Sequence, residues 1–187
     1  MKSPLLKLLA ATLFIAFSGK LFAAGMTLTS AEVKPAATIS TKQVFNGFGC
    51  TGKNVSPSLK WSGEPKGTES FALMVYDPDA PTGSGWWHWV VFNIPKTVHQ
   101  LPLNAGNPAM HLMPKGVIQS RTDFGSTGYG GPCPPKGDKP HRYQFTIYAL
   151  KVKSLPLKAD TTAASVGYYV HQNMLAKATL QGMYQRH

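Results

Sequence analysis

Three short segments of the chain concentrate acidic, imidazole and aromatic side chains among prolines and glycines. The first is Asp-Pro-Asp-Ala-Pro at residues 77–81, which follows an apolar run that ends at Tyr76. Each proline restricts the residue before it to extended backbone, so Asp77 is held rigidly and points roughly the same way as Asp79. A carboxylate fixed in this way can accept hydrogen bonds or share a proton with a ligand. Taken alone, the segment is better explained by a Pro-rich turn with solvated carboxylates.

Aromatic side chains dominate the second segment, Gly-Trp-Trp-His-Trp at residues 85–89. In extended backbone Trp86 and His88 share one face, and Trp87 and Trp89 share the other. Three tryptophans in four positions, beside one imidazole, suit the wall of a ligand pocket that contains a polar group. An aromatic core strand with a hydrogen-bonded histidine is the alternative for this segment.

The third segment, residues 130–143, is a run of glycines and prolines that ends in His141, Arg142 and Tyr143. His141 and Tyr143 fall on one face of the strand that starts here, and Arg142 falls on the other. The glycines and prolines build a rigid loop whose few backbone N–H groups are able to face an anion. A turn that holds no ligand is the alternative.

Short strands must position these segments, because 15 prolines and 18 glycines interrupt the chain. The apolar run at residues 71–76 predicts a buried strand, and the aromatic and β-branched run at 87–94 predicts a second. Alternation at residues 142–149 predicts a third strand, with Tyr143 and every second residue after it on one face. A weaker strand is predicted at 117–121. Many short strands of this kind are typical of a β-sandwich or barrel.

One helix is predicted near the C-terminus. Asp160, Thr161 and Thr162 offer N-caps, and Gly182 is suited to end the helix. Between them, apolar residues recur every three or four positions. These are Ala163, Val166, Val170, Met174 and Ala178.

The N-terminus has the order of a secretory signal peptide: basic residues, an apolar stretch at 5–17, then small residues up to Gly25. The uninterrupted apolar part is shorter than the roughly 20 residues that a membrane-spanning helix needs. The sequence therefore predicts a cleaved signal peptide at 1–25, one mature domain at 26–187 without a transmembrane segment, and a periplasmic location.

The distribution of charge and the spacing of possible metal ligands exclude some classes of function. The formal net charge is +11; three lysines lie in residues 1–25, which leaves 16 basic and 8 acidic residues and a net charge of +8. The lysines are scattered singly, so nucleic-acid binding is not expected. His88 and His141 lack the short-spaced partners typical of zinc sites, so neither a metal nor another cofactor is expected.

Two cysteines, Cys50 and Cys133, remain for the mature chain. An even pair in an exported protein predicts a disulfide, because the periplasm is oxidising. Buried free cysteines that pack as small hydrophobic side chains are the alternative.

Taken together, the motifs resemble the phosphatidylethanolamine-binding protein family, also called the Raf kinase inhibitor-like family, and most closely its bacterial YbhB/YbcL branch. The resemblance covers nearly the whole mature chain. Its segments are residues 44–50, 56–61, 76–89, 121–125, 134–137 and 141–143. It implies a mainly β fold, in which a central sheet packs on a second sheet as a β-sandwich, with a C-terminal α-helix and a small pocket at one end.

The resemblance also implies which residues bind a ligand. The ligand-binding residues carried over from the family are Asp77, Trp86, His88, Pro134, His141 and Tyr143. The implied ligand is a phosphate-type small anion or a phospholipid head group. Charged His88 and His141 would attract it, and Asp77 would either share its proton or orient an imidazole.

The resulting expectation is a binding protein without catalytic machinery. Two alternatives stay open: an envelope or secreted protein that interacts with or inhibits another protein, and a hydrolase that uses Asp77, His88 and His141. No serine lies in a Gly-x-Ser-x-Gly motif, which weakens the second alternative. A homodimer and an envelope or extracellular protein target are both compatible with the sequence.

We predict that the mature protein lacks its first 23 to 25 residues and fractionates with the periplasm, because a signal peptide is removed on export. Intact-mass measurement of protein purified from its host, together with cell fractionation, tests this. Retention of Met1 in membrane-associated protein would contradict it.

Overall fold

The computed structural model describes residues 25–187, and the protein there is built mainly from antiparallel strands. All but the last residue of the predicted signal peptide lie outside this range. The strands, in chain order, are β1 Thr27–Thr29, β2 Asn46–Gly47, β3 Cys50–Thr51, β4 Leu59–Ser62, β5 Ser70–Asp77, β6 Trp86–Pro95, β7 Gln100–Leu101, β8 Ile118–Gln119, β9 His141–Leu150 and β10 Met174–Tyr184. A short 3₁₀-helix spans Pro108–Met110, and the helix α1 spans Ala163–Asn173. The four strands predicted from the sequence are present as β5, β6, β8 and β9.

The central sheet has five strands in the spatial order β10-β9-β5-β6-β8, all paired antiparallel. A second sheet, β1-β4-β7, packs on one of its faces, and β2 and β3 form a separate small hairpin. The core between the two sheets holds large apolar side chains, because both sheets turn an apolar face inward. It includes Leu59, Trp61, Phe71, Trp89, Leu101, Tyr143, Phe145, Ile147 and Ala149. This confirms the predicted fold class and the predicted inner face of β9.

Helix α1 covers the opposite face of the central sheet. Its buried residues, Val166 and Val170 among them, pack on Met74, Phe92 and Tyr148. The helix begins as predicted, with the Thr162 hydroxyl accepting a hydrogen bond from the N–H of Ser165.

The predicted end of the helix is wrong, because Met174 and Ala178 belong to β10 instead. From Met174 onward the chain pairs along the whole length of β9, ending with Tyr184 opposite His141. Its side chains alternate between the core and solvent from Ala176 to Gly182. A helix at this position would leave the edge of β9 without backbone hydrogen bonds.

The start of β6 also differs from the alternation expected for an undistorted strand. Val75 pairs with Trp89, but the next residue of β5, Tyr76, pairs with Trp87, so His88 is an extra residue at a β-bulge. Trp89 consequently lies in the core between the sheets, whereas Trp87 packs on the helix side. The prediction that these two tryptophans share a face is therefore wrong.

Residues 25–187 contain no helix that combines the length and the apolar character needed to cross a membrane.

We predict that Gly182→Val destabilises the fold by about 1–3 kcal/mol through overpacking. A Cβ added at this position of β10 would lie 2.7 Å from Ile39 Cγ1 and 2.9 Å from Val33 Cγ1. Lys177→Val, at an exposed position of the same strand, is the control and should change the free energy of unfolding by no more than about 0.5 kcal/mol. Chemical denaturation measures the free energy of unfolding of both variants. Equal losses in the two variants would contradict the pairing of β10 with β9.

Candidate functional site

A cavity of about 150 Å³ lies at the edge of the central sheet where β5 ends and β6 and β9 begin. Since a water molecule occupies about 30 Å³ in the liquid, the cavity has room for a ligand of head-group size. The structure brings all six residues implied by the family resemblance into its wall. They are Asp77, Trp86, His88, Pro134, His141 and Tyr143.

Asp77 is a buried carboxylate at the end of β5, with only 3% of its surface exposed. Its Oδ2 lies 2.8 Å from Nδ1 of His141, and its Oδ1 accepts a hydrogen bond from the N–H of Asp79 at 2.8 Å. Both carboxylate oxygens thus have a partner, as a buried charge requires. Asp77 is placed to orient the His141 ring, which was one of the two roles expected for it.

Asp79 does not join Asp77 in the cavity. Its carboxylate forms a two-pronged ion pair with the exposed Arg142 guanidinium, at 2.7 Å and 2.9 Å. Hydrogen bonding to Arg142 lowers the pKa of Asp79 to about 2. The expectation that the two carboxylates point the same way is wrong, because Arg142 draws Asp79 to the outer face of β9.

His141, buried at the start of β9, lies between two carboxylates. Besides the Nδ1 contact to Asp77, its Nε2 is 3.3 Å from Oδ2 of Asp138. In the imidazolium form both N–H groups donate to these carboxylates, and neither is left for a ligand. This geometry therefore does not support the expected role of His141 as a direct hydrogen-bond donor to a bound anion. The ring instead positions the Asp77 carboxylate.

His88 is held by the loop that follows β8. Its Nδ1 is 2.7 Å from the carbonyl oxygen of Gly130, which can only accept, so Nδ1 carries the hydrogen. Burial lowers the pKa of His88 below its ordinary value, despite the opposing effects of the Gly130 hydrogen bond and the Asp77 charge. This favours a neutral ring, in contrast to the charged imidazole expected from the sequence.

Tyr143 supplies a buried hydroxyl that has no hydrogen-bond partner in the described part of the chain. Burial, then the negative charge of Asp77, and more weakly a loose hydrogen-bond contact to the Asp77 carboxylate raise the pKa of Tyr143, so the hydroxyl keeps its proton. This contact does not reach hydrogen-bond geometry, so the hydroxyl stays available to a ligand. Its ring lies edge-on to His88, with ring centroids 5.1 Å apart. The hydroxyl and the free edge of His88 are therefore close enough to meet one small ligand.

Aromatic residues that the sequence did not assign to the site complete the wall. Phe124 contacts both Trp86 and His88, with ring centroids at 5.5 Å and 5.3 Å. Phe48, at the rim, is 68% exposed and has a left-handed backbone with φ of 50°. Both lie in motifs that carry the family resemblance, and a large apolar residue flanked by Gly47 and Gly49 was the available signal.

The loop that starts at Gly130 forms part of the cavity wall, and its first two N–H groups are hydrogen-bonded within the protein. The N–H of Gly130 donates to the carbonyl oxygen of His88, and that of Gly131 donates to Oδ1 of Asn54, both at 2.8 Å. These two N–H groups anchor the loop and are not free for an anion; for the rest of the loop the expectation stays a prediction. Pro134 has no N–H to offer.

The predicted disulfide joins Cys50 to Cys133, whose Cα atoms are 6.0 Å apart. Cys133 lines the cavity, and Cys50 begins β3 in the hairpin that carries Phe48. Arg186 reinforces the connection by donating to the carbonyl oxygens of Phe48 and Gly49. The rim is thus fastened to the cavity loop covalently and to the C-terminal segment by hydrogen bonds.

No group of three or more histidine, cysteine or acidic residues suited to a metal ion occurs between residues 25 and 187.

Comparison with known proteins identifies relatives over nearly the whole described chain. The family model for phosphatidylethanolamine-binding protein matches residues 29–185. The UPF0098 protein YbcL of Escherichia coli K12 is 53% identical over 172 residues, which are 92% of this chain and 93% of YbcL. The UPF0098 protein YbhB of the same organism is 46% identical over 85% of this chain and 99% of its own length. The crystal structure of E. coli YbcL, described as a new member of the mammalian PEBP family, superposes with a TM-score of 0.86 at 52% identity, covering 88% of this chain and all of that one.

We predict that the oxidised wild type is more stable than a Cys50→Ser/Cys133→Ser variant by about 4–5 kcal/mol. The bridge closes a loop with a sequence separation of 83, and the loss of loop-closure entropy in the unfolded chain sets this size. Denaturation of both proteins measures the difference, and thiol titration under denaturing, non-reducing conditions should find no free thiol in the wild type. Two free thiols per chain in periplasmic protein would contradict the bridge.

Proposed function

The chain belongs to the phosphatidylethanolamine-binding protein family, and we propose that it is an exported protein whose cavity binds small phosphate-type anions, such as phospholipid head groups, without turnover. The six wall residues described above form the proposed site.

The unpartnered hydroxyl of Tyr143 is the observation that carries this proposal. A buried donor without an acceptor costs about 1–3 kcal/mol, and folded proteins rarely leave one unpaired. An anionic oxygen in the cavity would accept this hydrogen bond. The aromatic walls would exclude water around it and strengthen the interaction.

The absence of turnover is proposed because the polar groups of Thr82, Cys133 and His141 at the cavity are already engaged. Both nitrogens of His141 contact carboxylates, and the Thr82 hydroxyl donates to the carbonyl oxygen of Gly85. The sulfur of Cys133 is in the disulfide. The Thr82 hydroxyl is therefore poorly placed for nucleophilic attack, and Cys133 has no thiol while the disulfide is formed.

Export to the periplasm is proposed on two independent features. The order of basic, apolar and small residues at positions 1–25 is that of a signal peptide. The disulfide between Cys50 and Cys133 is a bond that persists in oxidising compartments.

We predict that Tyr143→Phe weakens phosphate-ester binding by about tenfold to a hundredfold, the usual size for a hydrogen bond to a charged group. Its thermal stability should stay the same or rise, because the substitution removes a buried hydroxyl that has no partner in the free protein. Calorimetric titration with O-phosphorylethanolamine and thermal unfolding measure the two effects.

Tyr129→Phe is the matched control. Tyr129 is also buried, but its hydroxyl donates to the carbonyl oxygen of Gln43 at 3.1 Å and does not line the cavity. This variant should lose about 1 kcal/mol of stability and keep its affinity. The proposal fails if Tyr143→Phe binds the ester as tightly as the wild type does.

A further inference from the structure

The hydrogen-bonding state of His88 determines what the cavity can recognise. Because Nδ1 must donate to the carbonyl oxygen of Gly130, the neutral ring carries no hydrogen on Nε2. Nε2 is the second nitrogen of a ring that lines the cavity; the Gly131 backbone also lies near the ring, but Nε2 forms no hydrogen bond of normal geometry among residues 25–187. His88 therefore presents a hydrogen-bond acceptor to a ligand.

The charges around His88 do not favour a strongly negative ligand. Asp77 faces it from β5, His141 and Tyr143 from β9, and Asp123 from the loop after β8. Even with His141 charged, its positive charge is shared between the carboxylates of Asp77 and Asp138. A phosphate dianion would meet a lone pair on His88 and an uncompensated negative charge nearby.

The two polar atoms described above require two complementary groups on one ligand, an acceptor and a donor. The Tyr143 hydroxyl needs an acceptor oxygen, and Nε2 of His88 needs a donor hydrogen. A phosphate monoester with a single negative charge has both, because it keeps one acidic P–OH beside its charged oxygens. A dianion, a phosphodiester and a sulfate ester each lack that hydrogen.

We propose that the cavity selects ligands that bring their own acidic proton, and hence the monoanion of a phosphate monoester over phosphodiesters and sulfate esters. This rests on the proposed function, in which the cavity binds phosphate-type anions. One proton lies between Nε2 of His88 and the ligand in the complex. Tyr143 donates to a second ligand oxygen. Intact phospholipid head groups, which are diesters, are then poorer ligands than phosphorylated small molecules.

The pH dependence follows from which partner holds the proton. Affinity for a monoester should fall as the pH rises through the second ionisation of the phosphate, near 6. Between pH 5.5 and pH 8 the monoanion fraction decreases about seventyfold. Burial lowers the pKa of His88, which disfavours a charged ring that would supply the proton in place of the ligand.

Three probes of the wild-type protein test the inference by calorimetry at pH 5.5 and pH 8: ethyl phosphate, diethyl phosphate and ethyl sulfate. At pH 5.5 all three carry about one negative charge, so they differ mainly in whether they have an acidic proton. We expect ethyl phosphate to bind at least tenfold more tightly than the other two at pH 5.5. We expect its affinity to fall by roughly the seventyfold loss of monoanion at pH 8.

The outcomes separate this inference from the proposed function. Ethyl sulfate that binds as tightly as ethyl phosphate at pH 5.5 would overturn proton selection and leave anion binding intact. Tight binding of diethyl phosphate would likewise overturn it and point to intact lipid head groups as ligands. If none of the three binds, both the inference and the proposed function fail.

A substitution at His88 gives a second readout. His88→Gln places an amide at the cavity that can donate as well as accept, so discrimination between ethyl phosphate and ethyl sulfate should shrink several-fold. Lys96→Ala, at an exposed residue paired with Glu69 away from the cavity, is the control and should leave the discrimination unchanged. Unchanged discrimination in a folded His88→Gln protein would overturn the inference.

Discussion

The buried contact between Asp77 and His141 ties together the two central strands on which the site is built. It joins the last residue of β5 to the first residue of β9 at 2.8 Å, at the sheet edge where the cavity opens. A buried carboxylate without a partner would be strongly unfavourable, so the two strand ends must stay in register. The position of Tyr143, two residues along β9, and that of Trp86, opposite Asp77 on β6, follow from this register.

The loops at the cavity cannot rely on strand pairing, and other contacts hold them. The disulfide connects the Phe48 hairpin to the loop after Gly130, and Asn54, three residues after β3, accepts a hydrogen bond from the N–H of Gly131 in that loop. Such cross-links limit the motion of a rim that presents a largely exposed aromatic ring. A rigid rim preserves the shape of a cavity that is only about 150 Å³ in volume.

Within this frame the cavity holds little free positive charge. His141 lies between two carboxylates, and His88, whose pKa is lowered by burial, is oriented by a backbone carbonyl. Among the cavity side chains between residues 25 and 187, the Tyr143 hydroxyl has no partner and Nε2 of His88 is not used by the Gly130 contact. The site that we propose would recognise the protonation state of its ligand as well as its charge, which is a source of specificity that electrostatic attraction alone does not provide.

Local patterns in the sequence determined the central strands, the start of α1 and the pairing of the two cysteines. The family motifs also predicted that the six wall residues share one pocket. Each depends on chemistry read over a few residues, such as the apolar run of β5 or the Thr162 cap, or on the count of cysteines.

The end of α1, the bulge at His88 and the separation of Asp79 from Asp77 were decided by tertiary structure. Residues 174–184 became a strand because the edge of β9 needed a partner, and Asp79 turned outward because Arg142 lies there. The states of the two histidines depend on atoms distant in sequence: the Gly130 carbonyl is 42 residues from His88, and Asp77 is 64 residues from His141. No local pattern encodes such contacts, since they exist only once the sheet has set its register.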